Sequence, residues 1–449
     1  MEREAFIETL FSKAAPLGGD AEVCAESSES FEAQIREGEV VEYSVSISQG
    51  LGFRVLKDGR TGTASTEILD GDAADLLVQG AYENAALVES EDEQFLYPGD
   101  AEYPALNLYN PAVAALTAAE KIEMARELER LTLRQDPRVQ KVEQCAVFSS
   151  TDERIIQNTL GLNVSSRSAL IGGYVVAVAR EGEKVNTGMK LFCAMDPAEI
   201  DLESVARTAA REAVAGLDGA PVKSGPYRVL LRNDVAAVLL STFSGVFSAD
   251  NAQKGLSRLK SREGEKIAAD CVTLMDDPHR PDSASSAAFD GEGVATRPKA
   301  VIEGGVLNTL LHNLKTAKKQ GISTTANAAR PSYSSPVGIA PTNFFFVPSE
   351  LSFEDMLQKT CDGLLITELQ GLHAGANAIT GDFSLAAKGF RIEGGQLAGA
   401  VNQITVAGNF YRLLQDIEAV GGDLEFRAPG LSRFGSPALL VRALSVAGV

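Results

Sequence analysis

The three histidines, His279, His312 and His373, are the side chains best suited to holding a transition metal, and no two of them lie within six residues of each other. A local zinc site needs ligands at short spacing, because one helix or turn must aim two of them at the same ion. No H-E-x-x-H or similar helix-borne site is present, so any metal site would have to gather these histidines with Cys271 or a carboxylate from distant segments. Nucleophilic hydrolysis has no local signature either: G-x-S-x-G is missing, as are the G-x-x-x-x-G-K-[ST] and G-x-G-x-x-G phosphate loops. Gly50-Leu-Gly52 and Gly291-Glu-Gly293 each lack the third glycine.

Paired acids can divide acid and base work when their surroundings push their pKa values apart. Two pairs are available, Asp276-Asp277 ahead of Pro278 and Pro281, and Asp290-Gly291-Glu292 in a turn-like stretch. Both read as solvated loops. His373, inside Gly371-Leu-His-Ala-Gly375, reads as a hydrogen-bonded structural histidine or as a substrate contact in a peptide-cleft loop. Cys271 and Cys361 read as buried small hydrophobes or inert thiols, because no basic cluster stands beside either to favour a thiolate.

The elements that must position these residues divide near residue 222. Arg3 to Ala14 has the pattern of a short amphipathic helix, and Phe31 to Ser65 alternates like a meander with turns at Glu37-Gly38 and Lys57-Asp58-Gly59. Helical periodicity returns over Gly71–Val88 and Thr117–Gln135, separated by an acidic, proline-containing loop from Glu89 to Pro104. Strand-like patterning over Val139–Ala194 breaks at Thr151-Asp152, residues 160–163 and residues 181–183, before a helix over Leu202–Leu217. The breaker-rich run 218–226 then marks a boundary.

Beyond it, a strand over Tyr227–Arg232 leads into a helix from Asp234 to about Ala249, with Val235, Val238, Leu239, Thr242 and Val246 on its core face. Ile302-Glu-Gly-Gly305 and Ile392-Glu-Gly-Gly395 sit between extended runs as hairpin turns of one kind. The fold class expected is α+β. An N-terminal α+β domain spans residues 1–222, divisible into 1–110 and 111–222, and a mainly antiparallel β domain spans 223–449.

Composition narrows the function. A formal charge of −20 opposes phosphate backbones, whose affinity for proteins comes largely from Lys and Arg releasing counterions. The basic cluster Lys315, Lys318, Lys319 is short and reads as a solvated helix face. Five scattered cysteines without a C-x-x-C pair fit a reducing compartment. The start of the chain has no signal-peptide pattern, and the apolar run 169–179 is too short to span a bilayer. A cytoplasmic protein that engages neither nucleic acid nor membrane is expected.

Two stretches, Phe289-Asp-Gly-Glu-Gly-Val-Ala-Thr296 and Thr380-Gly-Asp-Phe-Ser-Leu-Ala-Ala-Lys-Gly-Phe-Arg-Ile-Glu-Gly-Gly395, followed by Ile404-Thr-Val-Ala-Gly-Asn409, closely resemble the PmbA (TldE) branch of the TldD/PmbA family. Gly305-Val-Leu, Asp423-Leu424 and Gly435-Ser-Pro-Ala-Leu-Leu440 support the match. The resemblance implies a two-part subunit that dimerises, either with a TldD-type metallopeptidase subunit or with itself, around a cleft for unfolded peptides. In the TldD branch the helix matching Asp234–Ala249 carries H-E-x-x-x-H, and a cysteine near the C-terminus completes the zinc site.

In this register the chain has Ser241, Thr242 and Val246, with Gly245 retained, and no cysteine follows Asp423. Serine and valine offer zinc neither an imidazole nor a thiolate, and Thr242 has no usable pKa for a general base. The resemblance therefore implies no catalytic or metal-binding residue in this chain, with zinc in the partner. It also implies degradation or maturation of small peptides, and the family label "modulator of DNA gyrase" does not imply contact with DNA. The competing readings are a self-associating peptide-binding or scaffold protein that acts without a TldD partner, and a hydrolase with a nonlocal site involving residues such as Ser241 or His373.

Overall fold

The computed structural model describes residues 1–89 and 94–449, so part of the acidic loop expected over 89–104 lies outside the described residues. Long alternating runs build the first sheet. Its strands are β1 (Asp20–Arg36), β2 (Glu39–Lys57), β3 (Arg60–Thr66), β4 (Val139–Asn158), β5 (Asn163–Glu181) and β6 (Lys184–Ala194). They lie in the order β3-β2-β1-β4-β5-β6, and every pairing is antiparallel. The turns at Glu37-Gly38 and Asp58-Gly59 put both central residues at positive φ, the geometry whose twist matches a two-residue hairpin.

Side chains alternate across a strand, so β1 shows two characters. Ala21, Val23 and Ala25 pack with Phe6, Leu10 and Leu77 of the helices Arg3–Ala14 and Gly71–Leu87. Glu22, Cys24 and Glu26 point to the other face, toward the C-terminal half of the chain. The helix Ala118–Arg134 starts with a capping box, Thr117 and Glu120 each satisfying the other's backbone N–H, and it shares a core with the helix Leu202–Ala215. The break expected at Thr151-Asp152 does not occur. β4 runs through it because Thr151 and Asp152 pair with Glu29 and Ser28 on one side and with Ala169 and Ser168 on the other.

The C-terminal half is mainly antiparallel. One sheet orders the strands Gln396–Asn409, Asp382–Glu393, Gly363–Gln370, Gly225–Leu231, Leu439–Ala447 and Ile417–Val420. Gln396–Asn409 also pairs with Leu439–Ala447, so five of these strands close into a ring. The exceptions to antiparallel order are Gly363–Gln370 on Gly225–Leu231 and Asn343–Phe346 on Arg433–Ser436. The two matching tetrapeptides are hairpin turns of one type: Gly304 and Gly305 have φ of 53° and 82°, and Gly394 and Gly395 have 56° and 77°.

Among the described residues no helix is long and apolar enough to cross a membrane. The apolar run near 169–179 is part of β5, and Leu314–Gln320 is a short helix with Lys318 and Lys319 exposed.

Candidate functional site

The register helix is shorter than its periodicity suggests. It spans Asn233–Phe243, tightens into a 3-10 turn over Ser244–Phe247, and stops at Ser248. Ser248 is extended because it bridges to Leu311, and its hydroxyl then accepts the Asn251 N–H to cap a new helix, Ala249–Gln253. Val235, Leu239 and Val246 are buried as expected, but Ala236, Ala237, Leu240 and Phe243 are buried too, so the core wraps more of the helix than one stripe.

Ser241 and Thr242 are half-buried, and Val246 belongs to the apolar core. Val246 is fully buried, and the Thr242 hydroxyl donates to Val238 O at 2.8 Å, an i to i−4 bond inside its own helix. Between them, Phe243 stacks on Phe410 with ring centroids 4.8 Å apart and tilts against Phe383. Phe410 is set by the motif around Thr380 and Asn409: its N–H donates to Gly381 O, while Asn409 Nδ2 donates to Thr380 O and Asp382 Oδ1. Zinc takes imidazole, thiolate or carboxylate donors. Two hydroxyls and an isopropyl group do not fit it, and among the described residues no cluster of three or more His, Cys, Asp or Glu is placed to hold a metal.

The histidines stay apart. His279 Nε2 lies 3.0 Å from Thr296 Oγ1, and His312 is fully buried, where desolvation pushes its pKa down. His373 is exposed on the short helix Leu372–Gly375 and makes no hydrogen bond among the described residues. Its neighbour Leu372 packs on the core that holds the register helix. Cys271 and Cys361 are exposed, correcting the expectation that they are buried. Each sits at a turn or helix end, where the chain leaves the core.

The acid pairs also depart from expectation, because Asp276, Asp290 and Glu292 are buried rather than solvated. Asp276 is held by Lys299, Asn327 and the Thr342 N–H. Asp290 accepts three backbone N–H groups, from Glu292, Val294 and Ala328. Burial, with the Glu292 charge nearby, nevertheless lifts its pKa to about 7. Burial raises Glu292 as well, and its carboxylate accepts the Leu314 N–H at 2.8 Å.

Asp290 and Glu292 lie by a seam between the first sheet and the C-terminal half. Glu22 is fully buried, its Oε1 3.0 Å from Arg54 and 2.9 Å from Arg330. Glu26 accepts the Tyr333 N–H at 3.0 Å and Arg154 Nε at 2.7 Å, while Arg154 also donates to Arg330 O. The Gly50 and Gly52 pair has its explanation here: a Cβ on Gly50 would lie 2.0 Å from the Tyr333 ring, and one on Gly52 1.9 Å from Tyr333 O. Gly293 likewise admits Leu162, whose Cδ2 would be 2.4 Å from an added Cβ.

Beside the seam opens a cleft of about 440 Å³, lined by hydroxyls including Ser28, Ser48, Ser285 and Ser286, with Asp290 and Arg330 on its wall. Asn327 Oδ1 and Arg330 Nε are buried without a partner among the described residues. The arrangement can orient an extended polar chain, since it offers donors, acceptors and one buried guanidinium. Sequence reading missed Glu22, Arg54, Arg330 and Tyr333. One signal was available, Glu22 and Glu26 recurring on a single face of a strand whose other face is apolar.

Models of the PmbA/TldA metallopeptidase family match the chain in three segments: domain 1 over residues 21–85, the central domain over 111–217 and the C-terminal domain over 224–448. Metalloprotease PmbA of Escherichia coli O157:H7 is 28% identical over 433 residues, covering 95% of this chain and 92% of that protein. A Thermotoga maritima structure described as a modulator of a DNA gyrase superposes with a TM-score of 0.92 at 34% identity, covering 99% of this chain and 100% of the other. TldE from Thermococcus kodakarensis superposes with a TM-score of 0.90 at 25% identity, covering 99% and 100%.

Proposed function

The chain belongs to the PmbA/TldA metallopeptidase family, and from that premise we propose that it is a non-catalytic subunit of a TldD/TldE-type zinc peptidase complex that degrades or matures unfolded peptides. The observation that carries this reading is the donor set at Ser241, Thr242 and Val246, two hydroxyls and an isopropyl group unsuited to zinc. Zinc and the water-activating glutamate then belong to a TldD-type partner. Similarity to a structure named TldE supports the assignment to that side of the complex.

This chain's contribution is binding and enclosure. The hydroxyl-lined cleft at the seam suits the backbone of an unfolded peptide, whose amides a folded substrate would keep for its own structure. Co-expression with a TldD-type subunit carrying H-E-x-x-x-H tests the proposal. A stable complex that cleaves unstructured peptides, with activity abolished by changing the partner's glutamate, supports it. Cleavage of the same peptides by this chain in the partner's absence refutes it.

A further inference from the structure

The floor of the seam cleft is the first sheet itself. Residues paired across an antiparallel sheet share a face, so Ser48, Ser28, Asp152 and Ser168 form one row across β2, β1, β4 and β5. Two residues along, Gly50, Glu26, Arg154 and Ser166 form the next row. All eight line the cleft, and the C-terminal half faces them with Asp290 and the segment 327–330.

Charge in this cleft is unbalanced. Four carboxylates and two guanidiniums line it. Arg154 pairs with Glu26, while Arg330 is answered by Glu22 and by the nearby Glu292, which it shares with Arg54. Arg3 answers Glu153 at 2.7 Å. Asp152 and Asp290 are left, and neither has an ion-pair partner among the described residues. Asp152 accepts hydroxyls, from Ser28 at 2.7 Å and from Ser150 at 2.9 Å, and Asp290 accepts backbone N–H groups.

The roof adds an acceptor of its own. Asn327 is 2% exposed, and its amide nitrogen is committed to Asp276 Oδ2 at 2.7 Å and to Ala340 O at 3.2 Å. That makes Oδ1 the free atom of the amide, a buried acceptor without a donor among the described residues. An unpaired buried acceptor is costly, and a ligand that donates to it recovers the loss.

We propose that the cleft selects peptides presenting a primary ammonium, which docks on Asp152 while the adjoining chain donates an N–H to Asn327 Oδ1. An ammonium is a compact charge with three donors, matching a carboxylate set in a row with the hydroxyls of Ser28, Ser48 and Ser168. An anionic ligand would meet Asp152 and Asp290 with no spare cation to offset them. The α-ammonium of a peptide and the side chain of lysine share this chemistry. The inference rests on the seam cleft being the peptide site proposed above, and adds which peptides it prefers.

Calorimetric titration of the purified full chain with unstructured, C-terminally amidated peptides of glycine, serine and alanine provides the test. One peptide has a free N-terminus, another is N-acetylated and carries a single lysine, and the reference is N-acetylated without lysine. At least one amine-bearing peptide is expected to bind about 10-fold more tightly than the reference, and which of them does so identifies the source of the ammonium. Asp152→Asn should erase the preference, and so should Ser168→Lys, which sets a competing ammonium opposite Asp152. Equal affinity for all the peptides overturns the ammonium preference and leaves the cleft as a general peptide site. No binding by any of them overturns this proposal together with the peptide role given to the cleft above. A preference that survives both substitutions overturns the docking on Asp152.

Discussion

Replacing Glu22 with alanine tests the seam most severely. The carboxylate is fully buried, within 3.0 Å of Arg54 and 2.9 Å of Arg330, whose side chains are themselves only 13% and 5% exposed. Its removal leaves two guanidiniums facing each other without their shared counter-charge. Breaking a buried ion pair from one side costs about 3–5 kcal/mol. Glu292 moderates the loss, because it is attracted to both arginines and repelled by Glu22, so it ionises more readily once Glu22 is gone. The expected destabilisation is therefore near the lower figure, about 3 kcal/mol.

Glu22→Gln keeps an acceptor and loses only the charge, for about 1–2 kcal/mol. Equilibrium urea unfolding measures both, read by far-UV circular dichroism and by tyrosine fluorescence, since the chain has no tryptophan. In a double-mutant cycle, Glu22→Ala with Arg330→Ala should cost less than the sum of the single changes, because the second removes a charge the first leaves stranded. A Glu22→Ala loss below about 1 kcal/mol, or strict additivity with Arg330→Ala, refutes the reasoning.

Asp290 gives a pH signature. Its pKa rises from the usual carboxylate range to about 7, so the folded chain holds a proton that the unfolded chain releases near pH 4. Its stabilising contribution is complete below that lower value and fades as pH rises toward 7. Thermal scans of Asp290→Asn against wild type should therefore show a stability difference that shifts in the variant's favour between pH 5 and pH 8, and a pH-independent difference contradicts this. Gly52→Ala drives a Cβ to 1.9 Å from Tyr333 O, where backbone cannot yield as a side chain would. It should cost about 1–3 kcal/mol or more and expose the seam to limited proteolysis. Phe243→Ala removes the ring stacked on Phe410 and should cost about 3–5 kcal/mol, seen as a lower urea midpoint.

Much of the fold is written in local pattern. The helix start at Thr117, the paired glycines at 304–305 and 394–395, and the alternation from Phe31 to the end of β1 all act within a few residues, and the structure realises each. Errors arise where distant segments decide. Thr151 and Asp152 carry turn chemistry, yet neighbours on both sides hold them in a strand. Asp290-Gly-Glu292 looks solvated by composition. Its carboxylates instead accept the Leu314 and Ala328 N–H groups, with the charges of Arg54 and Arg330 nearby, and no local window contains these partners. The helix expected through Ala249 ends at Phe243 because Ser248 bridges to Leu311, a partner remote in sequence. At the register itself, Ser241, Thr242 and Val246 are read from residue type alone, and the structure adds that Val246 is buried and that the Thr242 hydroxyl is bonded inside its own helix.

Zinc stoichiometry and peptide hydrolysis, measured together on the purified chain in excess zinc, probe the central claim most directly. The account predicts no stoichiometric zinc and no chelator-sensitive cleavage until a TldD-type subunit is added. One tightly held zinc per chain, with hydrolysis that a chelator abolishes, would contradict it.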